Sequence, residues 1–370
     1  MKLPLLTFLF LFSFLNSTKA QNTGKIYESE VHKFQLEVLL QRSDVIWGFD
    51  FLKDGKIIFT ERSGQLNIFD PAKKSVVNVA GVPAVYAKGQ GGLLDIRVHP
   101  QEQDVVYLTY SMPVDKKATT ALARARLRNN TLAEFKNISV AHEPSSNDIH
   151  FGSRIVFDGK GHVFYTVGDR NERKLVQNLG YNIGKIMRLK EDGSVPQDNP
   201  FVNDKKARPE IWALGIRSPQ GLAFHPETRD LWLGDMGPRG GDEVNIIKKG
   251  LNYGWPIATY GREYYGPKIG KGPEQKGMQL PIAYWVPSIS PSGLAFYTGD
   301  RFTKWKNNIF LANLSGQHLR RLVVDGKKVT EQEILLKDEA RFRNVRTGPD
   351  GFLYFSTDDG KIARLVPAGP

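Results

Sequence analysis

The feature that most constrains the fold is a pattern that occurs six times: an apolar segment, a turn rich in Pro, Gly or Asp, and a second apolar segment. The six copies begin at Trp47, Gly91, Gly152, Gly221, Ser292 and Val345. Their starts are roughly 45 to 70 residues apart, which leaves room for two further strands after each copy. Strand-rich units of this size, none able to bury both faces alone, are typical of a β-propeller. We therefore predict an all-β fold, a six-bladed β-propeller with four-stranded antiparallel blades.

This pattern also predicts the domain boundaries and the scarcity of helices. Residues 21–370 should form one propeller domain, because propellers of this length fold as a single unit. The only short helical candidates are DEVNIIKKG, from Asp242, and the region of ERKLVQNLG, from Glu172.

The repeats also predict which face carries a site. The innermost strand of each blade starts at one face, so residues before the first strands and after the second strands should gather there around the axis. The preceding positions hold Gln90, His150, Arg217, Ser218, Trp285, Arg341 and Arg343. The following positions hold Glu61, Asp169, Met236 to Pro238 and Asn313 to Ser315. The turns at the opposite face (KDG, PQEQ, GKG, PETR and PDG) are those of ordinary solvated connections.

The third copy, with its flanking residues, HFGSRIVFDGKGHVFYTVGD, is predicted to form a β-hairpin with chemistry at its open end. His150 and Asp169 lie almost symmetrically about a turn centred near Gly159 and Lys160, so they should face each other. A carboxylate beside an imidazole fixes its tautomer and raises its basicity, as a general base requires. The alternative is a His–Asp pair that only ties down a loop.

Arginines and free carbonyl groups complete the predicted site. Arg341 and Arg343 are two residues apart, so on a strand both side chains point to one side. Together with Arg217 they could hold a polycarboxylate or phosphate, although salt bridges between blades would explain each arginine alone. The loop after Gly237 and Pro238 offers carbonyl oxygens, which suit Ca²⁺ but are also common in loops without metal.

The other histidines have simpler interpretations. His99 and His225 occupy equivalent His-Pro positions at the ends of first strands, so we predict structural turn residues. His162 alternates on a hairpin strand, and no other His shows ligand spacing. No nucleophile motif and no dinucleotide-binding glycine pattern follows a strand, which argues against a nicotinamide cofactor.

Composition sets the expected location and partners. Residues 1–20 resemble a secretory signal peptide, with Lys2, an apolar segment and a small-residue cleavage site before Gln21. Export without a single Cys suggests a periplasmic or secreted protein that needs no disulfides. The net charge is +12 and becomes +10 without the two Lys of that segment. Basic residues form only doublets, so nucleic acid is not an expected partner, and no segment predicts a stable membrane anchor.

Five segments resemble the soluble quinoprotein sugar dehydrogenases, and most closely their aldose sugar dehydrogenase branch. They are QGGLLDIRVHP, HFGSRIVFDGKGHVFYTVGD, ALGIRSPQGLAFHP, LGDMGPRGGDEVNIIKKGLNYGWP and RFRNVRTGPDGFLY. The resemblance extends from about Val45 to the end of the chain. It implies a six-bladed propeller that binds pyrroloquinoline quinone (PQQ) and Ca²⁺ on one face and oxidises the anomeric hydroxyl of aldoses.

The resemblance also implies roles for individual residues. His150 would be the base and Asp169 its orienting carboxylate. The carbonyl groups of Gly237 and Pro238 would bind Ca²⁺, and Trp285 would lie near the sugar. The positions assigned to cofactor binding are Gln90, Arg217, Ser218, Arg341 and Arg343.

The sequence thus predicts a PQQ- and Ca²⁺-dependent aldose dehydrogenase that produces aldonolactones. Its partners would be a small-molecule aldose and an unidentified electron acceptor, and the protein would be a monomer or homodimer. Two alternatives stay open: a non-catalytic propeller that binds a carbohydrate or a protein, and a Ca²⁺-dependent lactonase.

Overall fold

The computed structural model describes residues 21–368 and contains 25 strands in six sheets. The two N-terminal strands are β1 (Gln21–Glu28) and β2 (Lys33–Gln41). The first sheet comprises β3 (Ile46–Phe51), β4 (Ile57–Glu61), β5 (Gln65–Asp70) and β6 (Ser75–Val79). The second comprises β7 (Leu93–Val98), β8 (Val105–Val114), β9 (Lys117–Arg128) and β10 (Thr131–Val140). The third comprises β11 (Gly152–Phe157), β12 (His162–Val167), β13 (Lys185–Lys190) and β14 (Ile211–Leu214).

The remaining sheets complete the ring. The fourth comprises β15 (Pro219–Phe224), β16 (Leu231–Asp235), β17 (Asp242–Ile247) and β18 (Ala283–Trp285). The fifth comprises β19 (Pro291–Phe296), β20 (Ile309–Asn313), β21 (His318–Asp325) and β22 (Lys328–Leu335). The last contains β23 (Phe342–Thr347), β24 (Leu353–Thr357) and β25 (Lys361–Pro367). Two 3₁₀ turns, Arg173–Leu175 and Thr303–Trp305, are the helical segments of the described chain.

The predicted six-bladed propeller is confirmed. Each repeated segment forms the two innermost strands of one blade, and all pairings within the sheets are antiparallel. The segment DEVNII, predicted as a candidate helix, is instead strand β17, because it pairs with β16 and β18. The candidate near Glu172 contains the 3₁₀ turn. The predicted signal peptide, residues 1–20, lies outside the described residues.

The last blade differs from the expectation of two further strands after each repeat. Only β25 follows β24, and the next strand outward is β2 from the N-terminus, with β1 beyond it. Strand β2 pairs with β25 along its length, for example Leu36 with Leu365. Joining the two ends of the chain in one sheet closes the ring of blades.

The core lies between neighbouring blades, and the innermost strands contact one another around the axis. Strands β11 and β19 are buried along their whole length, whereas the outer strands β6 and β22 are largely exposed. Strands β15 and β19 approach each other closely near the axis. Their approach requires glycine at position 221, because a Cβ there would lie 2.7 Å from Cβ of Leu294. We call the face where the innermost strands begin the upper face, and the face of the hairpin turns the lower face.

Candidate active site

Strands β11 and β12 bring His150 and Asp169 together at the upper face. Gly152 pairs with Val167, and two residues further out Nδ1 of His150 lies 2.7 Å from Oδ1 of Asp169. The His150 backbone has φ +54°, a conformation that is uncommon for a residue other than glycine. Its carbonyl oxygen would lie 2.0 Å from a Cβ on Gly168, so glycine is required there. The contact predicted between His150 and Asp169 is present.

Asp169 is held from several sides. Trp255 Nε1 donates to Oδ2 at 2.8 Å, and the Asn171 N–H donates to Oδ1 at 2.8 Å. Although burial acts to raise it, the pKa of Asp169 is lowered by the hydrogen bond and charge of His150 and by Arg217. The carboxylate therefore stays ionised and fixes the imidazole with Nδ1 as the donor.

The environment of His150 favours the neutral imidazole. Burial lowers the pKa of His150, the hydrogen bond that Nδ1 donates to Asp169 opposes this effect, and nearby Arg217 lowers the pKa further. Within residues 21–368, no hydrogen bond is formed by Nε2 of His150. A neutral imidazole with Nδ1 occupied and Nε2 free can accept a proton at Nε2.

A cavity of about 220 Å³ opens on the axis beside this pair. We call it the upper cavity; its lining includes Trp47, Arg62, Gln90, Gln220, Arg341, Arg343 and Asp358. Oε1 of Gln90 accepts the main-chain N–H of His150 at 2.9 Å, and Phe151 and Gly152 also line the cavity. The upper cavity and the His150–Asp169 pair therefore form one site.

Arg341 and Arg343 point to the same side, as their spacing predicts, and both contact Asp358. Nε of Arg341 lies 3.0 Å from Oδ2, and Nε of Arg343 lies 2.8 Å from Oδ1. Nη1 of Arg343 donates to Oε1 of Gln220 at 3.0 Å. Although burial acts to raise it, the pKa of Asp358 is lowered by these two guanidinium groups. With Arg62 also in the lining, cations outnumber anions, and the cavity suits an anionic ligand.

Arg217 and Ser218 directly precede β15, at the upper face. Their main-chain N–H groups donate to the Asp235 carboxylate at 2.9 and 2.7 Å. Burial raises the pKa of Asp235 to about 7. Nε of Arg217 and Oγ of Ser218 are buried without hydrogen-bond partners in the described chain. Unpaired buried polar groups are costly, so a ligand that bonds them would be stabilised there.

The loop that contains Gly237 and Pro238 follows β16 at the upper face. Nη1 of Arg217 donates to the carbonyl oxygens of Met236 and Gly237, at 2.7 and 2.8 Å. A Cβ on Gly237 would lie 2.3 Å from the carbonyl oxygen of Gly240. The loop thus crowds carbonyl oxygens together, and a guanidinium cation already contacts two of them. Across residues 21–368, no cluster of three or more His, Cys, Asp or Glu residues could hold a metal.

Trp285 is the predicted residue that the structure does not bring to this cluster. It ends β18, the outermost strand of its blade, and its indole donates to Oε1 of Gln332 at 3.1 Å. The Arg320 guanidinium lies 5.6 Å from its ring. Trp285 precedes β19 in sequence, but five residues separate them, enough to leave the indole at the blade edge.

Sequence reasoning missed several residues of the site. Asp358 directly follows the second strand of its repeat, β24, so the repeat pattern could have identified it. Gln220 is the second residue of β15 and reaches the cavity from the strand itself. Trp255 belongs to a long connection after β17, and no local pattern links it to Asp169.

The two histidines predicted as structural form turns. Nδ1 of His99 accepts the N–H groups of Gln101 and Glu102, and Nδ1 of His225 accepts those of Glu227 and Thr228. Within residues 21–368, no helix has the length and apolarity that a membrane span requires.

Comparison with known proteins is consistent with this geometry. A family model described as glucose/sorbosone dehydrogenase matches residues 43–364. The chain is 42% identical to an aldose sugar dehydrogenase of Escherichia coli over 343 residues, which cover 90% of this chain and 92% of that protein. A crystal structure of the soluble aldose sugar dehydrogenase of Escherichia coli in the apo form superposes with a TM-score of 0.88 at 41% identity, over 90% of this chain and all of the other. A PQQ-bound aldose sugar dehydrogenase of Streptomyces coelicolor shares the fold, with a TM-score of 0.76 at 24% identity, over 94% of this chain and 99% of the other.

Proposed function

We propose that this chain, which belongs to the glucose/sorbosone dehydrogenase family and is therefore an oxidoreductase, oxidises aldose sugars at C1 to aldonolactones with PQQ and Ca²⁺ as cofactors. The observation that carries the proposal is the buried His150–Asp169 pair beside an arginine-lined cavity on the propeller axis. The family membership supports the reaction class, and the geometry supports the residues.

The upper cavity fits the quinone. PQQ is a flat tricarboxylate, and the cavity lining has more guanidinium groups than carboxylates. Arg341, Arg343 and Gln90 would hold the carboxylates and carbonyls of PQQ. Nε of Arg217 and Oγ of Ser218 are unpaired donors that would bond to it. Each such bond to a charged group contributes about 1.5–3 kcal/mol.

The loop after β16 fits Ca²⁺. Hard cations take carbonyl oxygens, and a cationic group already lies against the Gly237 carbonyl. The carbonyl oxygens of Gly237 and Pro238 would hold the ion, which would add Lewis-acid stabilisation of charge on the cofactor oxygens.

The residues of the chain supply proton transfer and orientation. Nε2 of His150 would take the proton from the C1 hydroxyl while Asp169 stabilises the imidazolium that forms. The fixed contact between Nδ1 and Asp169 keeps Nε2 in its accepting form. PQQ, when bound, supplies the acceptor for the hydride that leaves C1.

The lactonase alternative is weaker, because a Ca²⁺-dependent lactonase needs side-chain carboxylates that converge on the metal. No such cluster occurs in the described part of the chain. The non-catalytic alternative does not explain a neutral imidazole with a free nitrogen beside a cationic cavity.

Reconstitution separates these functions. We expect purified protein to reduce a redox dye with glucose or xylose only after PQQ and Ca²⁺ are added. Hydrolysis of a lactone without dye reduction would indicate a lactonase. Sugar binding without either reaction would indicate a non-catalytic propeller.

A further inference from the structure

A single arginine divides the channel along the propeller axis. Arg154, on β11, hydrogen-bonds to the other five innermost strands, and its side chain is 3% exposed. Its acceptors are the carbonyl oxygens of Trp47, Gln220, Ser292 and Arg343, and the carboxylate of Asp95. We call the Arg154 guanidinium group with these five acceptors the hub. The upper cavity lies on one side of the hub, and a second cavity lies on the other.

The second cavity, which we call the lower cavity, has a volume of about 230 Å³ and is lined by all six innermost strands. Its charged lining consists of Arg97, Arg154, Arg346, Asp50 and Asp95. Three guanidinium groups face two carboxylates, so the cavity carries one excess positive charge. Positive charge in a confined site is costly without a counter-ion.

The hub itself has no capacity left for a ligand. All three nitrogens of the Arg154 guanidinium are used in the bonds to the five strands. Oδ1 of Asp95 accepts from Arg154 at 3.1 Å and lies 3.5 Å from Nη2 of Arg346, and Oδ2 accepts the Ile155 N–H. Asp50 forms an ion pair with Arg97, whereas Arg154 and Arg346 share Asp95, so the excess charge resides chiefly on Arg346.

Three donors on residues that line the lower cavity lack partners. Nε of Arg97, Nε of Arg346 and Nδ2 of Asn344 are buried without hydrogen bonds in the described chain. Nε of Arg97 lies 3.0 Å from Asp50 but outside hydrogen-bond geometry. Asn344 is 3% exposed, and its Oδ1 already accepts the Val345 N–H. Unpaired donors and an excess positive charge both favour the binding of a negatively charged hydrogen-bond acceptor in the lower cavity.

We propose that the lower cavity binds a small oxyanion, of the class that includes phosphate, sulfate and short carboxylates. Arg97, Arg346 and Asn344 supply its donors. The site is separate from the upper cavity, because the Arg154 hub lies between them. An anion there neutralises the excess charge and ties β7 to β23 across the channel.

The proposal is tested by titrating the full-length protein with inorganic phosphate in a calorimeter, at constant ionic strength and without Ca²⁺. We expect saturable binding that Arg346→Gln weakens about tenfold or more, since a charge-assisted bond is lost. Arg341→Gln, in the upper cavity, is the matched control and should keep this binding. Binding that disappears in Arg341→Gln and persists in Arg346→Gln would place the anion in the upper cavity and overturn the proposal.

A second pair of variants covers the case in which Arg346→Gln does not fold. Thr298 lines the lower cavity and is exposed. Thr298→Glu adds a negative charge that repels an oxyanion, whereas Thr298→Gln has the same size without the charge. Phosphate should raise the unfolding temperature of the Thr298→Gln variant but not of the Thr298→Glu variant. Equal responses, or no saturable binding by the wild type, would overturn the proposal.

Discussion

The two ends of the channel share their strands and much of their chemistry but differ in how they are built. Both cavities have about the same volume, and arginines outnumber aspartates in both. The lower cavity is lined almost wholly by residues of the innermost strands, whereas the upper cavity adds residues from the connections between blades. The upper cavity has the buried His150–Asp169 pair beside it, whereas the pair of His162 and Asp158 at the lower face belongs to a hairpin turn and lines neither cavity. Cationic lining is therefore common to both ends, and the residues from the connections between blades distinguish the end that we propose to be catalytic.

The largest expected effect is a loss of activity at one end of the β11–β12 hairpin but not at the other. His150→Gln should lower kcat by about 10²–10⁴-fold, because it removes the proton acceptor. The hairpin offers a matched control: near its turn, Nδ1 of His162 contacts Asp158 at 2.9 Å. Steady-state dye reduction by His162→Gln should match the wild type. Equal losses in the two variants would mean that His–Asp pairs here are only structural.

The Arg154 hub between the two cavities should contribute strongly to the free energy of unfolding. Arg154→Met would leave Asp95 buried without its main partner, and removing one member of a buried ion pair costs about 3–5 kcal/mol. We expect denaturant unfolding to show a loss of this size. Arg128→Met, at an arginine whose side chain is 56% exposed, should leave the free energy of unfolding nearly unchanged. A small loss for Arg154→Met would contradict its role as the hub.

The arginines of the upper cavity should affect cofactor affinity. Arg343→Gln should raise the Kd for PQQ about tenfold or more, because a charge-assisted contact to the quinone carboxylates is lost. Fluorescence titration with PQQ would measure it, with exposed Arg128→Gln as the control. An unchanged Kd would remove Arg343 from the cofactor site.

Sequence patterns predicted the parts of this structure that repeat. The six hairpins, the facing of His150 and Asp169, and the common side of Arg341 and Arg343 all follow from strand periodicity and hairpin symmetry. Ring closure by β2 could not be seen in the repeats, because the strand lies at the other end of the chain. Trp285 and Trp255 lie in or next to long connections, whose paths the strand pattern does not determine.

The lower cavity was also missed, for a different reason. Its charged residues lie within the innermost strands, where the apolar pattern conceals them, and the hairpin turns at that face have the composition of ordinary solvated connections. Arg154 sits in the sequence SRIVF, which predicts a buried strand. Its five partners come from five other repeats, so no local pattern points to them.

The smallest expected effect is on pH dependence. Burial and Arg217 lower the pKa of His150, so the neutral base should persist below the ordinary value of 6.5. The acid limb of kcat/KM should therefore fall with an apparent pKa below 6.5. Asp169→Asn removes an interaction that raises the pKa of His150, so it should move this limb to still lower pH. A shift to higher pH in that variant would contradict the assignment of the base.

The most direct test of the central claim is a single-turnover measurement on protein loaded with PQQ and Ca²⁺. The absorbance of the quinone is followed after xylose is mixed with the wild type and with His150→Gln. We predict that both proteins bind PQQ with similar affinity and that only the wild type reduces it rapidly. Rapid reduction by His150→Gln, or failure of the wild type to take up PQQ, would contradict the claim that the upper cavity and His150 form the catalytic site.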